Sequence, residues 1–460
     1  MNRTGSADED SKAQAAREIV RRLREAGFEA FWAGGCVRDR LLGREPEDYD
    51  IAASARPEEV ERLFPRTLHI GRAFGVAAVL TGPWQFQVSA FRAEGRYLDG
   101  RHPESVTFAD ARADALRRDF TVNGLFYDPL EERLFDWVGG QEDLRRRLIR
   151  AIGEPRERFR EDHLRLLRAV RFAAQLDFQI EEKTFLAARE GAPLIRRVSA
   201  ERIRDELLKL FRPPHAARGL DLLRESGLLR EILPEIHVMV GCEQSPAYHP
   251  EGDVYEHVRR MLALLPPDAS QALVWAVLLH DVGKPPVQRR EPDGSIRFWG
   301  HEAEGERIAR RLLNRLRFPK REIEAIAEAV RRHMVFKDVA QMRPAARRRL
   351  LLRPTIELEL ELYRLDRLSS SRDLAEYERL RGELAELRRQ PELTKPLLRG
   401  KDLLALGVPE GPSLGRILAE VREGQLAGKV RTREEALDLA RRLAAERGFI
   451  EPGAMSGKDS

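Results

Sequence analysis

Apolar residues recur along this chain at two different spacings, and the change from one to the other divides it. Over residues 12–26 they repeat as on one face of a helix and stop at Gly27, which suits a helix C-cap. Short apolar runs follow at 30–33, 48–52, 74–81 and 84–91 and predict strands. Between them, 57–64 opens on Pro57 with Glu58 and Glu59 behind it, as a first helical turn should. The first 150 residues therefore predict an α/β head on a small sheet.

From about Glu154 the strand signal fades. Residues 159–176, 182–190 and 199–210 are amphipathic at helical spacing, with Ser199 placed to cap the third. Pro213 and Pro214 interrupt, helices resume to Val240, and 241–252 reads as a linker or domain edge. Another helical unit runs to Arg389, 390–396 reads as a second connector, 424–443 as a final helix, and 453–460 as disordered. The whole is an α+β chain with a head at 1–150, a helical neck and body at 151–240, a second helical domain at 241–390 and a helical tail at 391–460. It contains no internal repeat, and no stretch approaches the roughly 20 apolar residues of a membrane span. The N-terminus lacks the apolar run of a secretory signal.

Composition adds little. At 460 residues the chain is too long for one ordinary core. Cys36 and Cys242 lack metal-ligand spacing, which argues against a disulfide framework and fits a reducing cytoplasm. The net charge is +5, with arginine greatly outnumbering lysine. Guanidinium binds phosphate bidentately, so the bias suits an RNA or phosphate partner, and suits an arginine-rich genome equally.

The motifs say more. Gly34-Gly35-Cys36-Val37-Arg38-Asp39 places paired glycines between a strand and a helix, where backbone N–H groups can approach a phosphate, with Arg38 in reach. Asp48-Tyr49-Asp50 follows. If 48–52 is a strand, its period of two puts both carboxylates on one face and Tyr49 on the other. Such a pair repels unless a cation lies between. Two Mg²⁺ ions about 4 Å apart, bridged by carboxylates, clamp the attacking and leaving oxygens of a phosphoryl displacement.

These two motifs, with Arg117-Arg118-Asp119-Phe120-Thr121-Val122-Asn123 and Glu161-Asp162-His163-Leu164-Arg165, resemble the bacterial tRNA nucleotidyltransferase and poly(A) polymerase family across residues 28–240. The resemblance implies a polymerase-β-like nucleotidyltransferase head with a small mixed sheet and a helical neck and body. It implies Asp48 and Asp50 as catalytic Mg²⁺ ligands. It assigns nucleotide binding to Gly34, Gly35, Arg38, Arg117, Arg118, Asp119, Asn123, Glu161, Asp162, Arg165 and Arg168. The partners implied are the tRNA 3′ end, CTP and ATP. Gln87 is a departure, because many relatives carry a third carboxylate there; an amide oxygen brings no charge to a metal.

Glu161, Asp162 and Arg165 fall on one predicted helix at i,i+4 and i,i+3 spacing, where an ordinary surface ion pair is the plain reading. Cytosine and adenine, however, both present an amino donor beside a ring-nitrogen acceptor. A fixed carboxylate with a fixed arginine accepts these bases and rejects guanine and uracil without a template. In the family, Glu-Asp-x-x-Arg is the form seen in CCA-adding enzymes. The loop from Arg92 to Arg117, with Gly95, Asp99-Gly100-Arg101 and Pro103, looks full-length, which argues against an enzyme adding CC alone. An enzyme adding only the final A, and a poly(A) polymerase, stay open as alternatives.

Farther on, Leu278-Leu279-His280-Asp281-Val282-Gly283-Lys284, with His257, His301, His333 and Asp366, resembles the HD superfamily of metal phosphohydrolases. The resemblance implies a site for Mg²⁺ or a transition metal on those histidines and aspartates, and a possible phosphohydrolase activity. An HD-type signalling enzyme is the reading from outside the nucleotidyltransferase class. Residues 399–403 and 411–415 resemble the tail of HD-bearing tRNA nucleotidyltransferases.

Overall fold

The computed structural model describes residues 5–68, 75–94, 106–245, 252–390, 393 and 395–450. They form two compact units: 1–238 with 266–268 and 312–318, and 239–265 with 269–311 and 319–460.

Up to residue 136 the first unit has nine described strands: β1 Ala30–Ala33, β2 Ile51–Ala53, β3 Thr67–Leu68, β4 Val76–Thr81, β5 Trp84–Ala90, β6 Arg92–Glu94, β7 Val106–Phe108, β8 Leu125–Asp128 and β9 Arg133–Asp136. Seven make one mixed sheet in the order β3-β4-β5-β2-β1-β8-β9, and β6 pairs with β7 apart from it. β2 runs antiparallel to β1 but parallel to β5, with Ile51 opposite Val88. Phe86, Val88 and Ala90 are buried while Gln87 is exposed, as strand alternation requires. Phe31, Phe91 and Phe126 pack over one face of the sheet, with centroids 6.1–6.4 Å apart, against Ala111 and Ala115. Such aromatic pairs add about 0.5–1.5 kcal/mol each beyond their buried area.

Helix Gly5–Glu25 buries Ala16, Ile19, Val20 and Leu23, a single stripe at helical spacing. It ends where the sequence predicts, with the Phe28 N–H returned to the Leu23 carbonyl at 3.0 Å beyond Gly27. Helices Pro57–Leu63, Glu182–Gly191 and Ala200–Leu210 match their predicted positions. Ser199 stands at the N-cap of the last, but its hydroxyl accepts no cap hydrogen bond.

Two corrections bear on function. The strand predicted over 48–52 begins only at Ile51, so Asp48 and Asp50 lie in the extended segment entering β2. Alternation nonetheless persists there, with Tyr49 buried between two exposed aspartates, because its ring packs 4.8 Å from Trp32. The single helix predicted over 159–176 is two, Pro155–Glu161 and Leu164–Leu176, broken at Asp162 (φ −134°, ψ 107°). The Asp162 side chain accepts the Leu164 N–H at 3.1 Å, the local competition with helix that aspartate offers.

The second unit is helical. Helix Gln271–Leu279 is apolar on every side and wholly buried from Leu273 to Leu279, so it forms the centre around which the rest packs. Helices Val254–Ala263, Lys320–Arg332 and Ile356–Ser369 contact it. The final helix predicted over 424–443 is instead the end of Pro412–Leu426 and the start of Arg433–Glu446, each with its own buried stripe. A hairpin of two-residue strands, Arg289–Arg290 with Ile296–Arg297, escapes sequence patterning because it buries no apolar face. Among the described residues no helix is long and apolar enough to cross a membrane. The loop residues Gly95, Asp99, Gly100, Arg101 and Pro103 lie outside the described residues.

Both cysteines are buried free thiols. Burial pushes Cys36 up to about 12 and Cys242 up to about 11. The thiolate is the reactive form, so neither should react appreciably with a thiol reagent at pH 7.5. Ellman titration of the native protein is expected to give near zero, rising to two thiols in denaturant. Prompt native labelling of either would contradict this burial.

Candidate active site and metal cluster

The first unit opens into a cavity of about 1060 Å³ lined in part by residues of β2 and β5. Of the nucleotide-site residues expected from sequence, Gly34, Gly35, Arg38, Asp48, Asp50, Arg117, Arg118, Asp119, Asn123, Asp162, Arg165 and Arg168 all line it, and so does Gln87. Glu161 does not; it stands behind the wall and holds Arg165 at 2.7 Å. Eleven arginine and lysine side chains face seven carboxylates around this space, which favours a polyanion.

Gly34 starts the wall. Its φ of +77° suits glycine, and a Cβ there would stand 2.6 Å from the Arg118 guanidinium. Helix Gly35–Leu41 follows, with Arg38 buried and donating to Asp39 and, at 2.7 Å, to Asn123. Asp48 and Asp50 project toward the cavity. The Lys12 ammonium lies 3.0 Å from the Asp48 carboxylate, so a cation already sits on that oxygen. The surrounding wall desolvates Asp50 and raises its pKa; Arg118 opposes the shift and Asp48 reinforces it.

Asp114, which sequence reasoning missed, is buried and holds Arg117 at 2.6 Å and Arg118 at 3.1 Å. The i,i+3 and i,i+4 spacing was the available signal, and it makes the helix-end ion pair and the cavity lining one and the same feature. Asp119 faces inward: burial would raise its pKa, but Arg168 (2.6 Å), Asn123 and the Phe120 N–H outweigh that and hold it well below the carboxylate range. Arg171 and Glu206, also missed, form a buried pair at 2.5 Å next to Arg168.

The expected Asp162–Arg165 pairing is absent, because the helix breaks between them. Asp162 is held by Arg202 at 3.3 Å. Arg165 donates to Glu161 and to the carbonyls of Arg158 and Arg117. Arg158, unremarked in the sequence, donates to the carbonyls of both Arg117 and Arg118 and ties that loop to the helix break. Asp162 and Arg165 thus reach one cavity from separately braced positions, each with hydrogen-bonding capacity left over.

In the second unit His280 and Asp281 follow helix Gln271–Leu279 directly. His257, His280 and Asp281 bring ligand atoms within 4.8 Å of one another, as do Asp281, His301 and His333. Asp366 completes the predicted set at 3.2 Å from His257. The Nδ1 atoms of His280, His301 and His333 lie 2.7–2.9 Å from backbone carbonyls, which can only accept, so Nδ1 carries the proton and Nε2 presents a lone pair. His301 and His333 face each other through Nε2 at 3.1 Å, with Asp281 Oδ1 3.6–3.7 Å away. Desolvation lowers His301 and takes His333 down to about 3. Neutral imidazoles converging on a buried carboxylate fit a divalent cation.

Comparison with known proteins follows this division. The model described as "Poly A polymerase head domain" matches residues 30–150, that for "Probable RNA and SrmB- binding site of polymerase A" matches 177–239, and "HD domain" matches 253–371. The chain is 38% identical over 421 residues to a CC-adding tRNA nucleotidyltransferase of Thermus thermophilus, covering 89% of this chain and 92% of that one. It is 37% identical over 438 residues to an A-adding tRNA nucleotidyltransferase of Deinococcus radiodurans, covering 90% and 95%. Among solved structures it is similar to the Bacillus stearothermophilus CCA-adding enzyme in complex with CTP, with a TM-score of 0.71 and 29% identity over 95% of this chain and 99% of that one.

Proposed function

The chain belongs to the tRNA nucleotidyltransferase family, and we propose that within it this enzyme builds the whole CCA end of tRNA from CTP and ATP without a template. One observation carries the reading: a single arginine-rich cavity gathers the Asp48/Asp50 pair, the Gly34-Gly35 turn and the Asp162 and Arg165 side chains.

We assign catalysis to the head, residues 1–150, and base choice to 151–240. Asp48, Asp50 and the Gln87 amide offer hard oxygen donors on one side of the cavity, a set that suits Mg²⁺. Bound there, Mg²⁺ supplies the positive charge that activates the RNA 3′-hydroxyl and steadies departing pyrophosphate. The triphosphate meets Arg38, Arg118 and the backbone at Gly34-Gly35. Asp119 and Asn123 face the ribose. Arg165 commits three of its five N–H donors to Glu161, Arg158 and Arg117, leaving two for a base ring nitrogen. Asp162, steadied by Arg202, accepts from the amino group. Because neither bond requires a nucleic-acid template, the protein itself distinguishes C and A from G and U.

Purified enzyme given tRNA lacking CCA should add C residues with CTP alone, and complete the end with CTP and ATP. GTP and UTP should be used at least tenfold less well. No CTP incorporation, with A added only to tRNA ending in CC, would assign it to the A-adding class. Stopping at CC with ATP present would assign it to the CC-adding class, and long A tails to poly(A) polymerases. Relatives named for CC and for A addition stand at nearly equal identity, so the assay and not the likeness decides.

The second unit supports a further reading, for residues 241–390, as a metal-dependent phosphohydrolase-like domain. His257, His280, Asp281, His301, His333 and Asp366 would hold one or two divalent ions, Mg²⁺ or a transition metal. Metal analysis of the purified chain tests it: Asp281→Asn should lose the bound metal while the parent retains it. We place the protein in the cytoplasm, where its two thiols stay reduced and tRNA is matured.

A further inference from the structure

Beside the histidine–aspartate cluster stands the short hairpin Arg289–Arg290 paired with Ile296–Arg297, whose register sets Arg289 directly opposite Arg297. Like charges facing each other across an antiparallel pair repel and weaken it. Arg290 is paired with Glu243 at 2.6 Å, but the side chain of neither Arg289 nor Arg297 makes a hydrogen bond or ion pair with any described residue. Asp293, near the tip, accepts the Ser295 N–H at 2.8 Å and touches Arg297 only through its longer-range field. Both arginines are exposed.

Two residues beyond Arg297, Trp299 leaves 69% of its surface in water, the most of any exposed large apolar side chain among the described residues. Its neighbour Phe298 is placed otherwise, with its ring 5.4 Å from the Lys284 ammonium and its carbonyl 2.8 Å from His301 Nδ1. The Gln288 amide donates to the Glu243 carbonyl at 3.0 Å. The hairpin is therefore anchored at both ends, while its arginine pair and its indole are left facing solvent.

An unmatched arginine pair calls for an anion, and a fully presented indole calls for a flat π surface. A nucleotide is the chemistry that supplies both to residues so close along the chain: phosphates for guanidinium, a base for stacking. An acidic peptide would neutralise the arginines but leave the indole in water. We propose that residues 289–299 form a second nucleotide-binding site, with phosphate on Arg289 and Arg297 and an unpaired base stacked on Trp299. The site is separate from the nucleotidyl-transfer cavity, which belongs to the first unit, and requires neither that activity nor a metal in the cluster.

The test uses the full-length protein and an eight-nucleotide single-stranded RNA carrying 5-bromouridine. After ultraviolet crosslinking, mass spectrometry locates the adduct. The expected adduct falls on the peptide containing Trp299. Its yield should drop at least fivefold in Trp299→Ala, in keeping with loss of one stacked base. Arg289→Gln/Arg297→Gln should lower it similarly and flatten its log–log salt dependence by about 1.4, the release expected for two single-strand phosphate contacts. Melting curves of all variants should match the parent, and CTP and ATP incorporation should be unchanged, so that failure of the transferase assay and failure of this site are read separately. Competitors separate the sources. RNA outcompeting AMP tenfold or more marks a strand site, and equal competition per nucleotide marks a free-nucleotide site; either supports the proposal. Adducts that avoid 289–299 would overturn it. So would abasic ribose-phosphate or poly-glutamate competing as well as RNA, since neither carries a base to stack.

Discussion

Asp50→Asn is expected to cut nucleotide incorporation by about 10³-fold or more and yet leave the protein about as heat-stable as the parent. The size of the loss follows from asking one carboxylate to hold the charge that steadies a phosphoryl displacement, where removing a single electrostatic contributor costs about 10²–10³ or more. The stability follows from the sign of its pKa shift. Desolvation and Asp48 raise the Asp50 pKa above its unfolded value, so ionised Asp50 at neutral pH is disfavoured by the fold. A group shifted in that direction helps stability at pH below its unfolded pKa and loses that contribution as pH rises through the folded one. Asp50 is exposed to water, which screens that cost, and Arg118 opposes it, so taking away the charge should leave stability close to the parent's. Incorporation assays with tRNA substrates, beside thermal melts of both proteins, decide the matter. An active Asp50→Asn enzyme would remove the basis for the transfer mechanism, and a strongly destabilised one would show that the carboxylate is structural.

The second large effect is on stability. Gly283→Ala should destabilise the second unit by about 3 kcal/mol or more, the upper part of the usual range for overpacking. A Cβ at that position would fall 2.0 Å from the His301 carbonyl and 2.5 Å from the Gly305 nitrogen, both backbone atoms that cannot swing aside. At the roughly 2–4 °C per kcal/mol typical of domains this size, the transition should drop by about 6–12 °C. His301 should move with it, so bound metal should fall as well. Gly382→Ala is the matched control. It lies inside helix Ala375–Arg388 with nothing within 4 Å of an added Cβ, and alanine there should gain about 0.5–1 kcal/mol. If the two variants melt alike, the close approach of Gly283 to helix His301–Arg315 is wrong.

Much of the site was legible in the sequence because charge and glycine patterns record local geometry. Asp48-Tyr49-Asp50 showed its alternation even though the ladder starts later, because burial of Tyr49 enforces the same two-residue period as strand pairing. The histidine–aspartate set could be read from order alone, since an all-apolar run ending in His-Asp has few other uses. What was hidden was of two kinds. Helix breaks at residues with a competing side chain, such as Asp162, leave the apolar period intact on both sides, so one helix and two look the same. Partners distant in sequence also leave no periodic trace. Arg202 bracing Asp162 spans 40 residues, and Arg158 reaching the Arg117 and Arg118 carbonyls spans about as many. The Glu206–Arg171 pair is hidden for the same reason. Asp114 is the exception: its spacing to two arginines was visible, but as an ordinary helix-end pair it gave no hint that both arginines line the cavity.

That shared carboxylate has an evolutionary consequence. Because Asp114 binds two guanidinium groups at once, a lineage that loses either Arg117 or Arg118 keeps the buried charge neutralised by the other. A lineage that loses Asp114 strands two cations together. The aspartate is therefore constrained by charge alone, without facing any ligand, whereas the two arginines are constrained a second time by the cavity they line.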